Sequence, residues 1–597
     1  MRSRNDLMRN QVRLHAALLV LFFCYLVVML YRVQVLKHDY LKKEADLKTT
    51  GHETTKGRRG EIYGARGRLL VSNMPCHDVS ITPCNIASKD DGKLAAILAT
   101  ELELDYAEVL EKISRKRRTV RDEDGSTREV PVKYAQIAVN VPLEKSRALR
   151  EKLKAAGVSR NVHYDNVFVR YYPQGKFLSN LLGLTVAGEG GTMGLEKHLE
   201  NELRSDIGKT SYTRTPDGRQ IGNVPLHEKH RHDGMNIYLT IEEPLQAIVE
   251  EELDKACEKW RPFAAYAIML DPKTGNVLAM AERPSFDPND RKSLQGYIFR
   301  MRLIDEYFIP GSIMKPITVA GALDYGIISP DTMIDCTSNG VWSEYKVIDH
   351  RGRGYGMQDI TGVIRKSSNI GTAKIAMLMG PQRLYRTLMK FRFGSITGLP
   401  LNGEKAGLVW APNKWDKYTL SRLSYGYSLD CTPVQMARAY CALANRGELP
   451  ELRLIDHAVN PETNEVVNYP HSPPERIFSE EVGEQVVKMM ITVTEPGGTA
   501  TKAAIPGYHV AGKTGTAKKI KPGGGYFEQQ RFVSFAGFVP AEKPAFVLLV
   551  TLDSPVYVDN PQREVFGGSV SGPVWKSIAE RALKYMNVEP YVPVEKK

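Results

Sequence analysis

Residues 265–281 read AYAIMLDPKTGNVLAMA. Two apolar runs flank Asp271-Pro272-Lys273-Thr274-Gly275-Asn276, and that turn-forming segment predicts a β-hairpin. A matching pair of runs lies near the far end: FVSFAGFV over 532–539 and, beyond Pro544, AFVLLVTL up to Leu552. The stretches between are long, helical in spacing and rich in Leu, Ala and Met. Terminal strands that meet in one sheet, with an all-helical insertion between them, define an α+β layout in which helices sandwich an antiparallel sheet. This domain is expected to span 236–588, opening where Ile237-Tyr238-Leu239-Thr240-Ile241 passes into the helical run LQAIVEEEL, with 589–597 as a C-terminal tail.

Working outward, 597 residues call for two or three domains. Residues 16–31, AALLVLFFCYLVVMLY, carry no charge, and Leu14, Val33, Val35 and Leu36 extend the run. That is enough for one crossing of about 20 residues. Arg2, Arg4, Arg9 and Arg13 precede it against a single Asp6, which predicts a cytoplasmic tail over 1–13, a transmembrane helix over 14–36 and an extracytoplasmic body. A cleaved signal peptide is disfavoured, because Tyr31-Arg32-Val33-Gln34 lacks the small residues of a processing site.

The region 37–235 is expected to be a stalk and a mixed α/β pedestal. Residues 37–56 are polar with scattered Leu, and 57–70 place glycines between short apolar pairs, as short strands and turns do. Helical spacing follows at Leu94, Ala95 and Leu98, then at Val109, Leu110 and Ile113. The basic run Arg115-Lys116-Arg117-Arg118 is expected in a solvated turn, since Asp122, Glu123 and Asp124 cancel most of its field. His227, His230 and His232 have no further ligand at suitable spacing and are expected in an exposed linker. The seven cysteines are too few and too spread for a disulfide scaffold; Cys76 and Cys84 alone are close enough for a local bridge, and Cys431 and Cys441 are expected as small buried residues.

Three short motifs carry chemistry. In Ile309-Pro310-Gly311-Ser312-Ile313-Met314-Lys315, the Pro and Gly shape an entry turn and the following ITVAGAL continues a buried helix, so Ser312 and Lys315 stand one turn apart. A serine hydroxyl becomes a good nucleophile only when a neighbour takes its proton, and a lysine does this only if burial or nearby positive charge keeps it neutral. In Lys366-Ser367-Ser368-Asn369, Ser367 is suited to relay a proton and Asn369 to hold a substrate amide; read alone, the segment is equally a helix cap. In Ala511-Gly512-Lys513-Thr514-Gly515-Thr516, the glycines are expected to let a substrate approach an edge strand, Lys513 to supply positive charge, and Thr514 and Thr516 to hold a carboxylate. A phosphate loop is excluded, because Pro506-Gly507-Tyr508-His509-Val510-Ala511 is not the glycine-rich lead that such a loop requires.

Together, in this order, and with Asn369 and Lys513 lying 57 and 201 residues beyond Ser312, the motifs form the SxxK, SxN and KTG signature of serine acylation enzymes. The chain resembles the class B penicillin-binding proteins, closest to the septal transpeptidases of cell division. Gly60-Glu61-Ile62 with Gly67-Arg68-Leu69-Leu70, Arg170-Tyr171-Tyr172-Pro173, Gly194-Leu195-Glu196 and Pro284-Ser285-Phe286-Asp287-Pro288 carry the likeness ahead of Ser312; SYGYSLDCTPVQMARAY from Ser424, GGTATKAAIPGYHVAGKTGTA from Gly497 and FGGSVSGPV from Phe566 carry it beyond.

The resemblance implies a serine D-Ala-D-Ala transpeptidase. Its catalytic residues would be Ser312, Lys315, Ser367, Asn369 and Lys513, its substrate-binding residues Thr514, Gly515 and Thr516, and its oxyanion hole the Ser312 and Thr516 N–H groups. It implies no metal or cofactor, stem peptides of peptidoglycan as substrates, β-lactams as inhibitors, and a multi-spanning glycosyltransferase and small divisome membrane proteins as partners. Gly64 and Ala65 depart from the family's opening motif, Ile313 replaces a common Thr, and Ser428 and Gly572 are smaller departures. The other readings are an elongation-specific transpeptidase, a D,D-carboxypeptidase or β-lactamase, and a non-catalytic scaffold or sensor. The hydrolases need an activated water, for which no further acidic motif is evident. A net charge of +12 suits anionic lipid and wall polymers and makes no case for nucleic acid.

Overall fold

The computed structural model describes residues 2–122, 125–186, 190–213, 227–229, 232–290, 292, 294 and 296–591. They fall into two units.

One unit comprises residues 1–58 and 205–233. Its N-terminal helix, Arg2–Tyr31, runs on through Arg32–Leu36. Met8–Leu36 is long and apolar enough to cross a membrane. Its 29 residues extend about 43 Å at helical rise, more than a hydrocarbon core of about 30 Å, and its leucines, valines and phenylalanines are exposed, as lipid-facing side chains must be. A polar helix, His38–Thr49, leads to the strand Thr50–Lys56, which pairs with Ile207–Thr213; that strand pairs in turn with His227–Lys229. His227 therefore lies in a strand rather than a linker, and His230 lies outside the described residues. Among the described residues no cluster of three or more His, Cys, Asp or Glu is disposed to hold a metal.

The second unit comprises residues 59–204 and 234–597. Its central sheet has five antiparallel strands: β1 (Ala264–Leu270), β2 (Val277–Arg283), β3 (Ala511–Ile520), β4 (Tyr526–Val539) and β5 (Phe546–Asp553), in the order β2-β1-β5-β4-β3. The two hairpins expected from sequence close on each other through β1 and β5, with Ala264 opposite Asp553 and Leu270 opposite Val547. Every residue of β1 and β5 is buried. Strands covered on both faces read as unbroken apolar runs instead of alternating, which is why these two were conspicuous.

The helices that build the rest of the domain are α1 (Glu243–Trp260), α2 (Lys315–Asp324), α3 (Asn369–Met379), α4 (Pro433–Ala444), α5 (Glu480–Ile491) and α6 (Ser571–Tyr585); α1, α4, α5 and α6 pack on the sheet. Helices α1 and α6 pack on each other and on the sheet, while α4 packs on the sheet separately and is buried at all of its positions. A capping box between Thr432 and Gln435 starts α4. Helix α2, buried from Lys315 to Leu323, is the axis of the helical insertion and touches both α3 and α5.

A second sheet joins strands on both sides of the boundary expected at 235/236. Asn236–Leu239 lies between Ile62–Tyr63, parallel, and Ile455–Val459, antiparallel. The rings of Tyr63, Tyr238 and His457 stack across these strands at 4.8 and 4.4 Å. Further out, Leu69–Ile81 pairs with Ala135–Pro142 and Val162–Tyr171. Helices Asp91–Leu102 and Tyr106–Ser114 place Leu94, Ala95, Leu98, Val109 and Ile113 in a small separate core, as their spacing predicts.

The basic run differs from expectation: Arg117–Arg121 is a strand paired with Thr127–Pro131, and Lys116 turns back to Asp91 at 2.7 Å. Asp122 makes the hairpin turn, and the cross-strand pair Arg117–Glu129 offsets like-charge repulsion. All seven cysteines are free, Cys76 and Cys84 included, and Cys431 and Cys441 are fully buried.

Candidate active site

Pro310, with φ −67°, and Gly311, with φ +57°, turn the chain into a 3-10 segment, Gly311–Met314, that leads directly into α2. Only glycine takes the left-handed conformation at 311 without strain. The turn is held by Gly311 N donating to Gly426 O at 3.2 Å and by the buried Tyr440 hydroxyl donating to Ile313 O at 2.9 Å. Ser312 thereby reaches a cleft of about 500 Å³, while Lys315 at the head of α2 is fully buried behind it.

Ser367 and Asn369 enter from the opposite wall. Ser367 ends the short helix Ile360–Lys366 with φ +59°, a costly conformation for a non-glycine residue of the kind that clusters at functional sites. Ser368 N-caps α3 by accepting from Gly371 N at 2.9 Å. The cap reading of the Ser-Ser-Asn segment therefore holds at Ser368, and Ser367 lines the cleft. The motif Lys513 to Thr516 lies on β3, which among the described residues pairs only with β4 and so forms one edge of the sheet. An edge strand leaves backbone groups free to pair with an extended peptide.

The three motifs converge on one hydrogen-bond network. Lys315 Nζ donates to Ser367 O at 2.5 Å, Asn369 Oδ1 at 2.8 Å and Ser367 Oγ at 3.2 Å. Lys513 Nζ donates to the same Ser367 Oγ at 2.8 Å. Among the described residues the lysine therefore points across the cleft to Ser367 and Asn369, not back to the Ser312 hydroxyl three residues before it. Asn369 Nδ2 gives one of its two hydrogens to Ile348 O at 2.8 Å. Thr514 Oγ1 lies 3.1 Å from Thr499 Oγ1, and Thr516 Oγ1 accepts from Gly567 N at 3.0 Å.

Burial pushes the Lys315 ammonium down to about 7, against the opposing pull of the Asp349 carboxylate. Lys513 is driven well below its ordinary value, by burial and then by the charge of Lys315. Two fully buried cations sharing one hydroxyl repel, so the pair favours losing a proton. A neutral Lys315 has two N–H groups, matched by Ser367 O and Asn369 Oδ1, and a lone pair left to accept a proton. Burial is thus the main cause of its lowered basicity.

Two features were not read from the sequence. Asp349 is 2% exposed and accepts from Asn369 N at 2.5 Å, Ile370 N at 3.1 Å and the Ser368 hydroxyl at 2.7 Å. It anchors the start of α3, where the helix dipole favours an anion, and no pattern in its loop sets this buried aspartate apart from those at the surface. The space over Gly515 is the second. A Cβ there would lie 2.8 Å from Pro310 O and 3.2 Å from Ile313 Cγ2. Its missing side chain lets β3 close on the Ser312 turn, a different reason from the substrate approach expected, and a Cβ on Gly512 would meet Phe535 at 2.4 Å. Ile313 is fully buried in this packing.

The Penicillin binding protein transpeptidase domain matches residues 265–580, and the Penicillin-binding Protein dimerisation domain matches residues 54–239. The peptidoglycan D,D-transpeptidase FtsI of Escherichia coli K12 is 30% identical over 567 residues, covering 94% of this chain and 89% of that protein. The probable peptidoglycan D,D-transpeptidase PenA of Neisseria gonorrhoeae is 28% identical, covering 97% and 93%. The crystal structure of penicillin binding protein 3 from Mycobacterium tuberculosis, complexed with ampicillin, matches with a TM-score of 0.67 and 25% identity over 91% of this chain and 100% of that one. With both domains matched in order and a relative of this identity along almost its whole length, the chain belongs to the class B penicillin-binding proteins.

Proposed function

We propose that this chain is a membrane-anchored peptidoglycan D,D-transpeptidase of septal wall synthesis, with Ser312 as its nucleophile. The observation that carries the reading is that Ser312 opens on the same cleft as Ser367, whose hydroxyl accepts from two buried lysines. Ser312 Oγ attacks the carbonyl of the penultimate D-alanine of a donor stem peptide, and its proton passes to neutral Lys315. The Ser312 and Thr516 N–H groups stabilise the oxyanion. The peptide bond breaks, terminal D-alanine leaves as an amine that takes up the proton through Ser367, and an ester remains on Ser312. An amine from a second stem peptide then attacks that ester, gives its surplus proton to Lys315, and restores the serine as the cross-link forms. Asn369 holds the donor amide, while Lys513, Thr514 and Thr516 hold its terminal carboxylate beside the edge strand, where Gly515 permits the close approach of β3 to the nucleophile turn.

The rim supports an anionic substrate, since His350, Lys366, Lys502 and Arg531 line the cleft. β-Lactams acylate the same serine, because their strained amide presents the same carbonyl. The basic flank of Arg2, Arg4, Arg9 and Arg13 supports a cytoplasmic tail over 1–13 with the body outside; residues 37–235 serve as stalk and pedestal and 236–588 as the transpeptidase domain, in lateral contact with a multi-spanning glycosyltransferase and small division proteins. Supplying donor and acceptor stem peptides to the purified protein tests the reaction. Cross-linked dimer with stoichiometric release of D-alanine supports it, whereas trimmed monomer alone would overturn transfer in favour of hydrolysis.

A further inference from the structure

A second cleft of about 250 Å³ adjoins the first, and Tyr427 lines both. Its walls are aromatic: Trp410, Trp415 and Tyr526 join Tyr427, with Ile520 beside them. Trp410 is 47% exposed and Tyr526 41%, large surfaces to leave in water unless a partner covers them. The wall is built, not incidental. Trp415 Nε1 donates to Trp410 O at 2.7 Å, and the rings of Tyr427 and Tyr526 meet edge to face at 5.8 Å.

Asp430 also lines this cleft. Its backbone is clamped to Leu408 by bonds of 2.8 and 3.0 Å. Its half-buried carboxylate makes no hydrogen bond or ion pair among the described residues, and burial alone raises its pKa. An acceptor-only group at the base of an aromatic slot suits a ligand with one apolar face and donor hydroxyls at its edge. A cationic ligand fits less well, because Lys414 already sits over the Trp410 ring at 4.4 Å and would repel it.

We propose that this annexe is a glycan subsite that seats a sugar of the peptidoglycan strand, its carbon–hydrogen face on Trp410 and Tyr526 and its hydroxyls on Asp430. The inference rests on the acyl-transfer reading of the neighbouring cleft and deepens it: the shared wall at Tyr427 lets one strand present its stem peptide to Ser312 while the backbone sugars lie in the annexe. Substrate would then be selected as polymer, not as free peptide.

The test is calorimetric titration of the full chain in detergent with a peptide-free tetrasaccharide of alternating N-acetylglucosamine and N-acetylmuramic acid, beside fluorescent-penicillin labelling of the same samples. Saturable binding is expected, weakened at least tenfold in both Trp410→Ala and Asp430→Asn, together with a raised KM for glycan-linked but not free donor peptide. A variant that fails to fold loses labelling too, and the remaining variant then carries the test. Tetrasaccharide binding that is absent, or that both folded variants retain, overturns the proposal; so does binding of a free stem tripeptide, in place of sugar, that depends on Trp410. If the wild type takes no penicillin label, the acyl-transfer reading fails on that readout, and the titration still decides the subsite by itself.

Discussion

Lys315 and Lys513 donate to one hydroxyl oxygen, Ser367 Oγ, at 3.2 and 2.8 Å, and both side chains are fully buried. The carboxylate whose charge bears on Lys315 is Asp349, which also accepts from the backbone at the start of α3. From this arrangement follow three predictions, on the pH dependence of acylation, on Asp349 as a positioning residue and on Ser367 as the proposed relay.

With Lys315 as the proposed base, acylation requires it neutral, and burial lowers its pKa to about 7. The rate of penicillin acylation is therefore expected to rise about tenfold per pH unit below 7 and to level above it. Stability follows the same proton. Between about 7 and the ordinary lysine value the unfolded chain binds more protons than the folded one, so this group's contribution makes stability rise with pH across that window. Stopped-flow acylation from pH 5 to 9 checks the rate; a flat profile contradicts the assignment of Lys315 as base.

Asp349→Asn removes the charge that raises the Lys315 pKa and weakens three bonds at the head of α3. The acid limb of acylation is expected to move to lower pH while its plateau falls, with a stability loss of about 1–3 kcal/mol. A variant that loses stability but keeps its limb at 7 would restrict Asp349 to a structural role. The split between limb and plateau is the informative readout.

Much of this was legible beforehand, for a physical reason. Strands β1 and β5 are buried on both faces, and Ser312 to Lys315 opens a helix buried from Lys315 to Leu323, so each stood out as an apolar run. What could not be read depends on contacts distant in sequence. Asn236–Leu239 looked like the start of a domain because its partners, Ile62–Tyr63 and Ile455–Val459, lie far away on either side. Asp349 gains meaning only when the chain returns to Asn369. The sequence suggests that Gly515 makes room for substrate, whereas a Cβ there would meet Pro310 and Ile313. The basic run 115–118 is assigned from charge alone, which says nothing of the pairing of Arg117–Arg121 with Thr127–Pro131.

Ser367→Ala deletes the hydroxyl that both lysines share. Acylation is expected to slow by roughly 10²–10⁴-fold, the usual range for a lost proton-transfer group, with labelling still confined to Ser312. Timed labelling with fluorescent penicillin measures it. A loss under threefold would remove Ser367 from the relay.

Gly515→Ala places a carbon 2.8 Å from Pro310 O, where backbone must give way. The expected cost is about 1–3 kcal/mol, with the Ser312 turn displaced and acylation impaired beyond what thermal unfolding alone explains. Thr514→Ala, which opens no such clash, is expected to leave the melting temperature within about 2 °C.

The central claim is that Ser312 bears the acyl group. Peptide mass analysis of the full chain after incubation with penicillin tests it most directly. The account predicts one adduct, on the peptide containing Ser312, and none on the Ser312→Ala protein; an adduct on another residue, or undiminished labelling of that variant, would contradict it.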